Sequence, residues 1–177
     1  MSTDGEARPP ARLTVLAGPS GSGRDGVVEL VRARSPAVWT PVPVTTRPRR
    51  EHEVDGVDRL FVDPVEFDRL LAAGGLLEWS RMGPHRRGTP SEPLRSRLAA
   101  GDPVLLPLDL AGALLVRGAL PEARLVLLHP PGYIPDPVTA AHFEHTVAHD
   151  LTERVVDKLV GLFGSSFLAP ARPRVRG

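Results

Sequence analysis

The chain contains no cysteine, which excludes disulfide bonds and thiolate metal sites. Its 22 basic residues include a single lysine, Lys158, and its single tyrosine is Tyr133. No apolar run approaches the roughly 20 residues that cross a membrane, and the first residues lack the apolar segment of a signal peptide. A net charge of +1 gives no general reason to expect nucleic acid or an acidic membrane as a partner. We therefore expect a cytoplasmic protein that binds neither.

The residues that are present suit one globular domain. The 177 residues are 41% hydrophobic and 24% charged, which is enough for a core under a polar surface. Both ends are polar and rich in proline or arginine, and such segments bury too little apolar surface to fold. We predict disordered tails at residues 1–11 and 165–177, on either side of a domain formed by residues 12–164.

Short apolar runs alternate with helical patterns along the chain. RLTVLA, PVLLPLDL and ARLVLLHP are typical of buried strands, whereas VWTPVPVTT predicts an edge strand because Pro41 and Pro43 have no N–H to donate. The last helix is predicted to end near Gly164, and three residues are predicted helix caps, namely Asp63, Thr89 and Asp150. This alternation predicts an α/β fold with helices on both faces of a parallel sheet and ligands at the carboxyl ends of its strands.

One of those strand ends carries the segment LAGPSGSGRDGVV, from Leu16 to Val28. Its glycines allow backbone N–H groups to turn toward an anion at the start of a helix. The spacing from Gly18 to Gly23 before a basic residue fits a phosphate-binding loop, and an ordinary turn from strand to helix is the alternative. The residues predicted to hold phosphate are Gly18, Ser20, Gly21, Ser22, Gly23 and Arg24.

Two residues of this loop depart from the usual pattern of Lys followed by Ser or Thr. Arg24 keeps the positive charge, but its planar guanidinium is larger than an ammonium group. Asp25 replaces a hydroxyl that normally ligates Mg²⁺, so it either ligates the metal itself or repels phosphate when no metal is bound. Arg24 and Asp25 are the candidate catalytic residues, and Asp25 is the candidate metal ligand.

A second polar loop follows the predicted edge strand. It contains Thr45, Thr46, Arg47 and Arg50. Two cations and two hydroxyls suit an anionic phosphate, and a solvated basic turn is the alternative.

Three further polar residues are candidates for contact with a base. Glu78 offers a carboxylate that accepts from the N1–H and amino groups of guanine, and an exposed glutamate at a strand end is the alternative. Asp109 ends a buried strand, where it suits the same base edge or a metal held through water. Thr89 suits a base or phosphate contact as well as a helix cap.

Three blocks resemble guanylate kinases in order and separation: VTTRPRREHEVDGVDRLFV, GGLLEWSRMGPHRRGTP and GDPVLLPLDLAGALLVRGALPEARLVLLHPP. The match runs from about Arg12 to Pro131. The resemblance implies a three-layer P-loop NTPase fold of the guanylate kinase type. It also implies that ATP phosphates lie on Gly18 to Arg24, the GMP phosphate on Arg47 and Arg50, and guanine on Glu78, Thr89 and Asp109.

The resemblance also marks four positions where this chain departs from the family. Where the family usually has tyrosines that bind the GMP phosphate, this chain has Arg59 and Arg87. These two candidate substrate-binding residues make the pocket more cationic, which favours a ligand with more phosphate than GMP. Pro43 stands where a family serine helps to read guanine, and Pro107 stands where an aspartate lies near the metal.

The largest departure is a shortened lid. The family continues into a helical lid that carries several arginines, but here GYIPDPVTAAHFEHTVA, with no Arg or Lys, leads to His149. Pro135 and Pro137 are expected to break a helix at its start. His142, His145 and His149, with Asp150 beside them, permit a metal site, although a solvated polar turn is the simpler interpretation.

Three functions fit these residues. We expect a nucleotide-binding protein that takes GMP or another guanine nucleotide, with phosphoryl transfer from ATP weak or lost because that reaction depends on positioning and charge neutralisation. The first alternative is an active guanylate kinase that uses ATP, Mg²⁺ and an arginine-rich site. The second is an interaction domain that binds no nucleotide and serves an unidentified protein partner.

Overall fold

The structure is a computed structural model that describes residues 12–19 and 21–167. Ser20, residues 1–11 and residues 168–177 lie outside the described residues, and with them most of both predicted tails. The elements in chain order are β1 (Leu13–Ala17), α1 (Arg24–Arg34), β2 (Val44–Thr45), β3 (Leu60–Phe61), α2 (Pro64–Ala72), β4 (Leu76–Met82), β5 (His85–Pro90), α3 (Ser91–Ala99), β6 (Val104–Leu108), α4 (Leu110–Ala119), β7 (Arg124–His129), α5 (Pro137–Ala140), β8 (His145–Ala148) and α6 (Thr152–Phe167).

A parallel sheet with helices on both faces forms the core, as predicted. Its four strands lie in the order β6-β1-β7-β8, and every neighbouring pair is parallel. Alternate residues of each strand point to opposite faces, so Val15 packs with α3 and α4 and Leu16 packs with α1 and α6. Burial of one such side chain contributes about 1.5–3 kcal/mol. The three layers confirm the predicted fold class. Because the strands are parallel, the carboxyl end of β1 lies beside the carboxyl ends of its neighbours β6 and β7.

A second, mixed sheet of order β3-β2-β5-β4 was not predicted. The expected edge strand is wrong, because β2 contains only Val44 and Thr45 and pairs on both sides, with β3 and with β5. Pro41 and Pro43 precede it, and the Pro43 carbonyl accepts from the Leu60 N–H (2.9 Å). Prolines that cannot donate keep the paired part of this segment short.

One predicted helix cap is confirmed and another is wrong. Asp63 caps α2 and accepts from the Glu66 N–H at 2.8 Å, as predicted. Thr89 as a helix cap is wrong, because α3 begins at Ser91 and has no side-chain cap. The Thr89 hydroxyl instead donates to Glu78.

The last helix begins and ends later than predicted. Asp150 accepts from the adjacent Leu151 N–H at 2.7 Å, and α6 begins at Thr152. It continues to Phe167, past the predicted end at Gly164. None of the helices in the described part of the chain is long and apolar enough to cross a membrane.

Residues 130–144, which we call the lid segment because a shortened lid is expected there, connect β7 to β8. The segment contains only the four-residue helix α5. The expectation that Pro137 breaks a helix is wrong, because Pro137 is the first residue of α5 and Asp136 caps it through the Thr139 N–H (2.9 Å). Proline suits the first helical position because its missing N–H would have had no partner there. The segment therefore contains no helical hairpin.

Candidate functional site

The glycine-rich loop lies between β1 and α1, at the carboxyl edge of the central sheet. Gly21 and Gly23 have φ of 79° and 81°, a region that favours glycine. A Cβ at Gly18 would lie 2.6 Å from the Leu128 carbonyl oxygen. Gly23 caps α1 without a side chain, which leaves the first-turn N–H groups open to an anion. The Ser22 hydroxyl is buried and unpaired, whereas the Ser22 N–H donates to the Pro19 carbonyl oxygen at 3.1 Å and so holds the turn of the loop.

His149 supports this loop through contacts of its imidazole ring, a role that its position in the sequence did not reveal. Its Nδ1 lies 2.6 Å from the Ser22 carbonyl oxygen, and its Nε2 lies 3.0 Å from Thr152 Oγ1. Because a carbonyl only accepts, Nδ1 donates to Ser22, and Nε2 pairs with the Thr152 hydroxyl. The described residues contain no group of three or more possible metal ligands, which argues against the metal interpretation of the histidines.

Arg24 is directed from the start of α1 toward the other half of the site. Its Nη1 atom is buried and has no hydrogen-bond partner. Burial lowers the pKa of the Arg24 guanidinium, and the charge of Arg87 lowers it further, whereas Asp109 and Asp25 act in the opposite direction. Asp25 itself is exposed in the first turn of α1. Arg24 therefore lies within electrostatic reach of residues on β5 and at the end of β6.

Glu53 organises the second polar loop, and the sequence analysis did not single it out. Arg47 donates to both carboxylate oxygens, with Nη1 at 2.8 Å from Oε2 and Nη2 on Oε1. The Arg50 N–H donates to Oε2 at 2.8 Å. The hydrogen bond from Arg47, followed by that from Arg50, lowers the pKa of Glu53 to about 2. The Arg47 guanidinium thus faces a carboxylate before any ligand arrives.

The two threonines of this loop hold it to β5. Thr45 Oγ1 donates to the Arg86 carbonyl oxygen at 3.1 Å, and Thr46 Oγ1 accepts from the Arg86 N–H at 2.9 Å. Their hydroxyls are therefore engaged in the protein and position the loop.

Arg59 and Arg87 complete a group of cations. The Arg59 Nε atom lies 3.8 Å from Glu53, and burial lowers the pKa of Arg59, followed by the charges of Arg47 and Arg87. Arg87, on β5, has a buried Nε atom without a partner. We call Arg24, Arg47, Arg59 and Arg87 the arginine cluster. Arg50 is exposed beside it.

Within electrostatic reach of the arginine cluster, two carboxylates lie over Gly112. Glu78, on β4, is only 5% exposed and accepts from the Thr89 hydroxyl at 2.6 Å. Asp109 caps α4 through the Gly112 N–H (2.7 Å). A Cβ at Gly112 would lie 3.0 Å from Asp109 Oδ1 and 3.3 Å from Glu78 Oε2. Glu78 is thus a buried residue inside a strand and not an exposed one at a strand end.

Burial raises the pKa of Glu78, and the charge of Asp109 raises it further, against the hydrogen bond from Thr89 and the charge of Arg87. A carboxylate in this position gains from donors that a ligand brings. The candidate site, which we call the pocket, therefore combines carboxylate acceptors with guanidinium groups, and Arg87 acts electrostatically on both Glu78 and Arg24.

Three comparisons connect the chain with known proteins. The family model described as guanylate kinase matches residues 10–137. A guanylate kinase of Thermobifida fusca is 56% identical over 124 residues, 70% of this chain and 63% of that protein. A guanylate kinase of Streptomyces coelicolor is 51% identical over 128 residues, 72% of this chain and 64% of that protein. The matched part of the chain therefore spans less than two thirds of the length of either relative.

A solved structure supports the same architecture. Guanylate kinase from Anaplasma phagocytophilum superposes with a TM-score of 0.71 over 92% of this chain and 89% of that one, at 21% sequence identity. At this identity the likeness concerns the fold alone.

Proposed function

The chain belongs to the guanylate kinase family, and from this premise we propose that it binds a guanine nucleotide between Glu78 and the arginine cluster. The observation that carries the proposal is the buried Glu78 carboxylate, with one oxygen on Thr89 and the other over Gly112. Guanine presents N1–H and an amino group side by side, and a carboxylate with two acceptor oxygens matches that pair. Asp109, beside Glu78, supplies a further acceptor.

The phosphate of the nucleotide would lie at the other end of the pocket. Arg59 and Arg87 offer guanidinium groups that carboxylates do not fully pair, and Arg47 is oriented by Glu53. Arg50, exposed at the rim, is free to approach a phosphate oxygen with its side chain. Charge-assisted hydrogen bonds from guanidinium groups suit phosphate oxygens in geometry and strength.

Phosphoryl transfer from ATP is proposed to be weak. One arginine that neutralises the transferring phosphate contributes a factor of roughly 10³ to 10⁵ in rate, and residues 130–144 contain no Arg or Lys to supply one. Arg24 lies in the loop expected to hold ATP. Its Nη1 atom has no hydrogen-bond partner, and its guanidinium feels the positive charge of Arg87. A site without a cover also keeps water, which weakens the electrostatic interactions that remain.

Two features of the glycine-rich loop suit ATP and Mg²⁺. The open first turn of α1, with glycines at positive φ, suits phosphate oxygens on residues 21–24. Asp25 is exposed at that turn, and Mg²⁺ is often held by one or two carboxylates together with phosphate oxygens. Asp25 would hold the metal, which supplies neutralisation of the phosphate charges.

An active guanylate kinase is the second candidate, because the relatives at 56% and 51% identity carry that name. A coupled assay of ADP release with ATP, Mg²⁺ and GMP separates the two. Turnover at ordinary kinase rates, about 1–100 per second, would mean that the chain is an active guanylate kinase and that the proposal of weak phosphoryl transfer is wrong.

Nucleotide titration tests the binding proposal itself. We expect GMP to raise the melting temperature and to bind more tightly than AMP or IMP, because IMP lacks the amino group that Glu78 accepts. The Glu78→Ala variant should lose this selectivity, whereas Glu29→Ala, on the exposed face of α1, should keep it. If neither a guanine nucleotide nor ATP shifts the melting temperature, the one candidate function left is that of an interaction domain that binds no nucleotide.

A further inference from the structure

A cavity of about 560 Å³ lies beside the amino end of β6. The residues that line it include Arg32, Trp39, Gly56, Val57 and Arg97. Trp39 forms a parallel bridge with Val104, the first residue of β6, whereas Asp109 of the candidate site follows the last one. At about 3.3 Å per residue, β6 places these two ends roughly 16 Å apart. This cavity, which we call the edge cavity, is therefore distinct from the candidate site.

The edge cavity is cationic. Arg32, in the last turn of α1, makes no ion pair within the described part of the chain. Arg97, in the last turn of α3, donates to Asp102 at 3.3 Å, but its side chain is 51% exposed, and exposed ion pairs contribute little. The Arg97 guanidinium also lies 5.3 Å from the centre of the Trp39 ring. The cavity therefore suits an occupant that brings carboxylates together with an apolar surface for an indole ring.

The described part of the chain begins close to this cavity. The Arg12 carbonyl oxygen accepts from the Val104 N–H at 2.8 Å, and the Trp39 carbonyl oxygen accepts from the next N–H of β6, on its other side. Because neighbouring strands lie about 4.8 Å apart, Trp39 is roughly 10 Å from Arg12. An extended chain spans about 3.3 Å per residue, so three or four of the residues before Arg12 would cover this distance.

We propose that the amino-terminal segment of this same chain, residues 1–11, occupies the edge cavity. Pro9 and Pro10 stand directly before the described part of the chain, at the separation needed to reach Trp39. Proline-rich segments dock in grooves lined by aromatic side chains, because their extended conformation is already formed and costs little entropy. Docking would order a segment whose composition alone predicts disorder.

The charges of the two chain ends decide between them. The amino-terminal segment contains Asp4 and Glu6, which supply one carboxylate for each of Arg32 and Arg97. Residues 168–177 contain three arginines and no acidic residue, so they would add positive charge to a cavity that is already cationic. Guanidinium and carboxylate groups form charge-assisted hydrogen bonds, the strong class of such bonds.

The edge cavity also joins the two sheets. Arg32 and Arg97 belong to helices that pack on the central sheet, whereas Gly56 and Val57 lie in the loop between β2 and β3 of the second sheet. The same loop contains Glu53, which organises the second polar loop. A docked segment would therefore act as a strap that holds this loop against the central sheet.

The full chain can report the docking through a single tryptophan. Trp39 and Trp79 are its two tryptophans, and it has no cysteine. Trp79→Phe therefore leaves one fluorophore, in the edge cavity, and Thr3→Cys places one nitroxide label on the amino-terminal segment. Because a nitroxide quenches tryptophan emission only at short range, we expect the label to quench Trp39.

Variants of the labelled chain test which contacts hold the segment. Asp4→Asn combined with Glu6→Gln should restore the tryptophan emission, because it removes both carboxylates of the segment. Arg32→Gln should restore the emission from the side of the cavity. Arg8→Gln, in the segment, and Arg95→Gln, exposed on α3, remove charges without a role in the docking and should leave the quenching unchanged.

Three results would overturn the proposal. The first is a label that does not quench the tryptophan. The second is quenching that persists in both the carboxylate variant and Arg32→Gln, and each of these variants serves where the other does not fold. The third is quenching that weakens as the protein is diluted, because the segment would then occupy the cavity of a second copy. None of these results depends on a nucleotide, so the proposed function stands or fails separately.

Discussion

At the scale of single residues, Glu53 holds together the part of the site that is proposed to bind phosphate. It accepts from the Arg47 guanidinium and from the Arg50 N–H, and it lies near Arg59. Its carboxylate thereby fixes the direction of one arginine and the course of the loop that carries another. Glu78 has the opposite character, because it is buried with the Thr89 hydroxyl as its donor and would gain further donors from the proposed guanine base.

The lowered pKa of Glu53 predicts a pH-dependent contribution to stability. The pKa falls from an ordinary 4.5 to about 2 in the folded chain, so the unfolded chain binds the proton more readily. The stabilisation is complete above about pH 4.5 and is lost as the pH falls toward 2. Urea unfolding should show Glu53→Gln less stable than the original at neutral pH, with the difference shrinking in acid. The exposed Glu51→Gln should show no such convergence, and a difference that stays constant with pH contradicts this account.

The raised pKa of Glu78 predicts weaker guanine binding in acid. Only the ionised carboxylate accepts from both guanine donors, and the folded chain keeps the proton at a higher pH than an exposed glutamate does. GMP affinity, measured by calorimetry, should therefore fall as the pH decreases through this raised pKa. Glu78→Gln should bind more weakly at neutral pH, by about 1.5–3 kcal/mol, and should lose this pH dependence. The same slope in the variant would assign the effect to another group.

At the scale of elements, the site depends on how the turn after β8 meets the glycine-rich loop. His149 follows β8 and contacts Ser22 from 127 residues away in the chain. Its ring lies where a side chain on Gly23 would stand. The shape of the loop is therefore determined by two strand ends at the same edge of the sheet.

Gly23→Ala tests this contact. A Cβ at this position would lie 2.4 Å from the His149 ring, and the left-handed backbone adds about 1–2 kcal/mol of strain. We expect chemical denaturation to show a loss larger than that strain alone. Adding His149→Ala should recover the part due to the clash but not the strain. Gly26→Ala, inside α1 with no atom within 4 Å of the new Cβ, should be neutral or stabilising by about 0.5–1 kcal/mol. Equal effects of the two glycine substitutions would rule out the clash.

The elements also show what the sequence could and could not predict. β1, β6 and β7 are continuous apolar runs next to turn residues, and such runs predict buried parallel strands without knowledge of their partners. β2 and β3 have two residues each, so their pairing depends on neighbours that no local pattern identifies. The use of Thr89 illustrates the same limit, because its cap pattern was overridden by a buried partner, Glu78, on the adjacent strand.

At the scale of the site, residue types were easier to predict than their partners. Arg47 and Glu78 stood out by charge next to predicted strands. Glu53 did not, and His149 stood out only as a possible metal ligand, because the roles of both depend on contacts that form only in the fold. Glutamates four and six residues after Arg47, Glu51 and Glu53, were local signals for an ion pair in that loop, and the sequence does not say which of them pairs.

At the scale of the whole molecule, the candidate site takes its residues from both the central sheet and the second sheet. Glu78, Thr89 and Arg87 come from the second sheet, whereas Arg24 and Asp109 follow strands of the central one. The lid segment of residues 130–144 connects β7 to β8 with one short helix, and Ile134 within it is 88% exposed. A nucleotide bound in this pocket should therefore meet the two sheets and little else.

Hydrogen exchange with and without GMP would measure which segments of the protein contact the bound nucleotide. We expect protection in the loop of residues 45–59, in β4 and β5 around Glu78, and at the start of α4, where the base and phosphate contacts are proposed. Exchange in residues 130–144 should be unchanged, because no cationic side chain in that segment can draw it toward the phosphate. Titration with AMP serves as the control and should protect none of these regions to the same degree. Strong GMP-dependent protection of residues 130–144 would mean that the segment closes over the nucleotide. The main objection to an efficient kinase would then disappear, because closure would exclude the water that otherwise weakens the electrostatic interactions of the site.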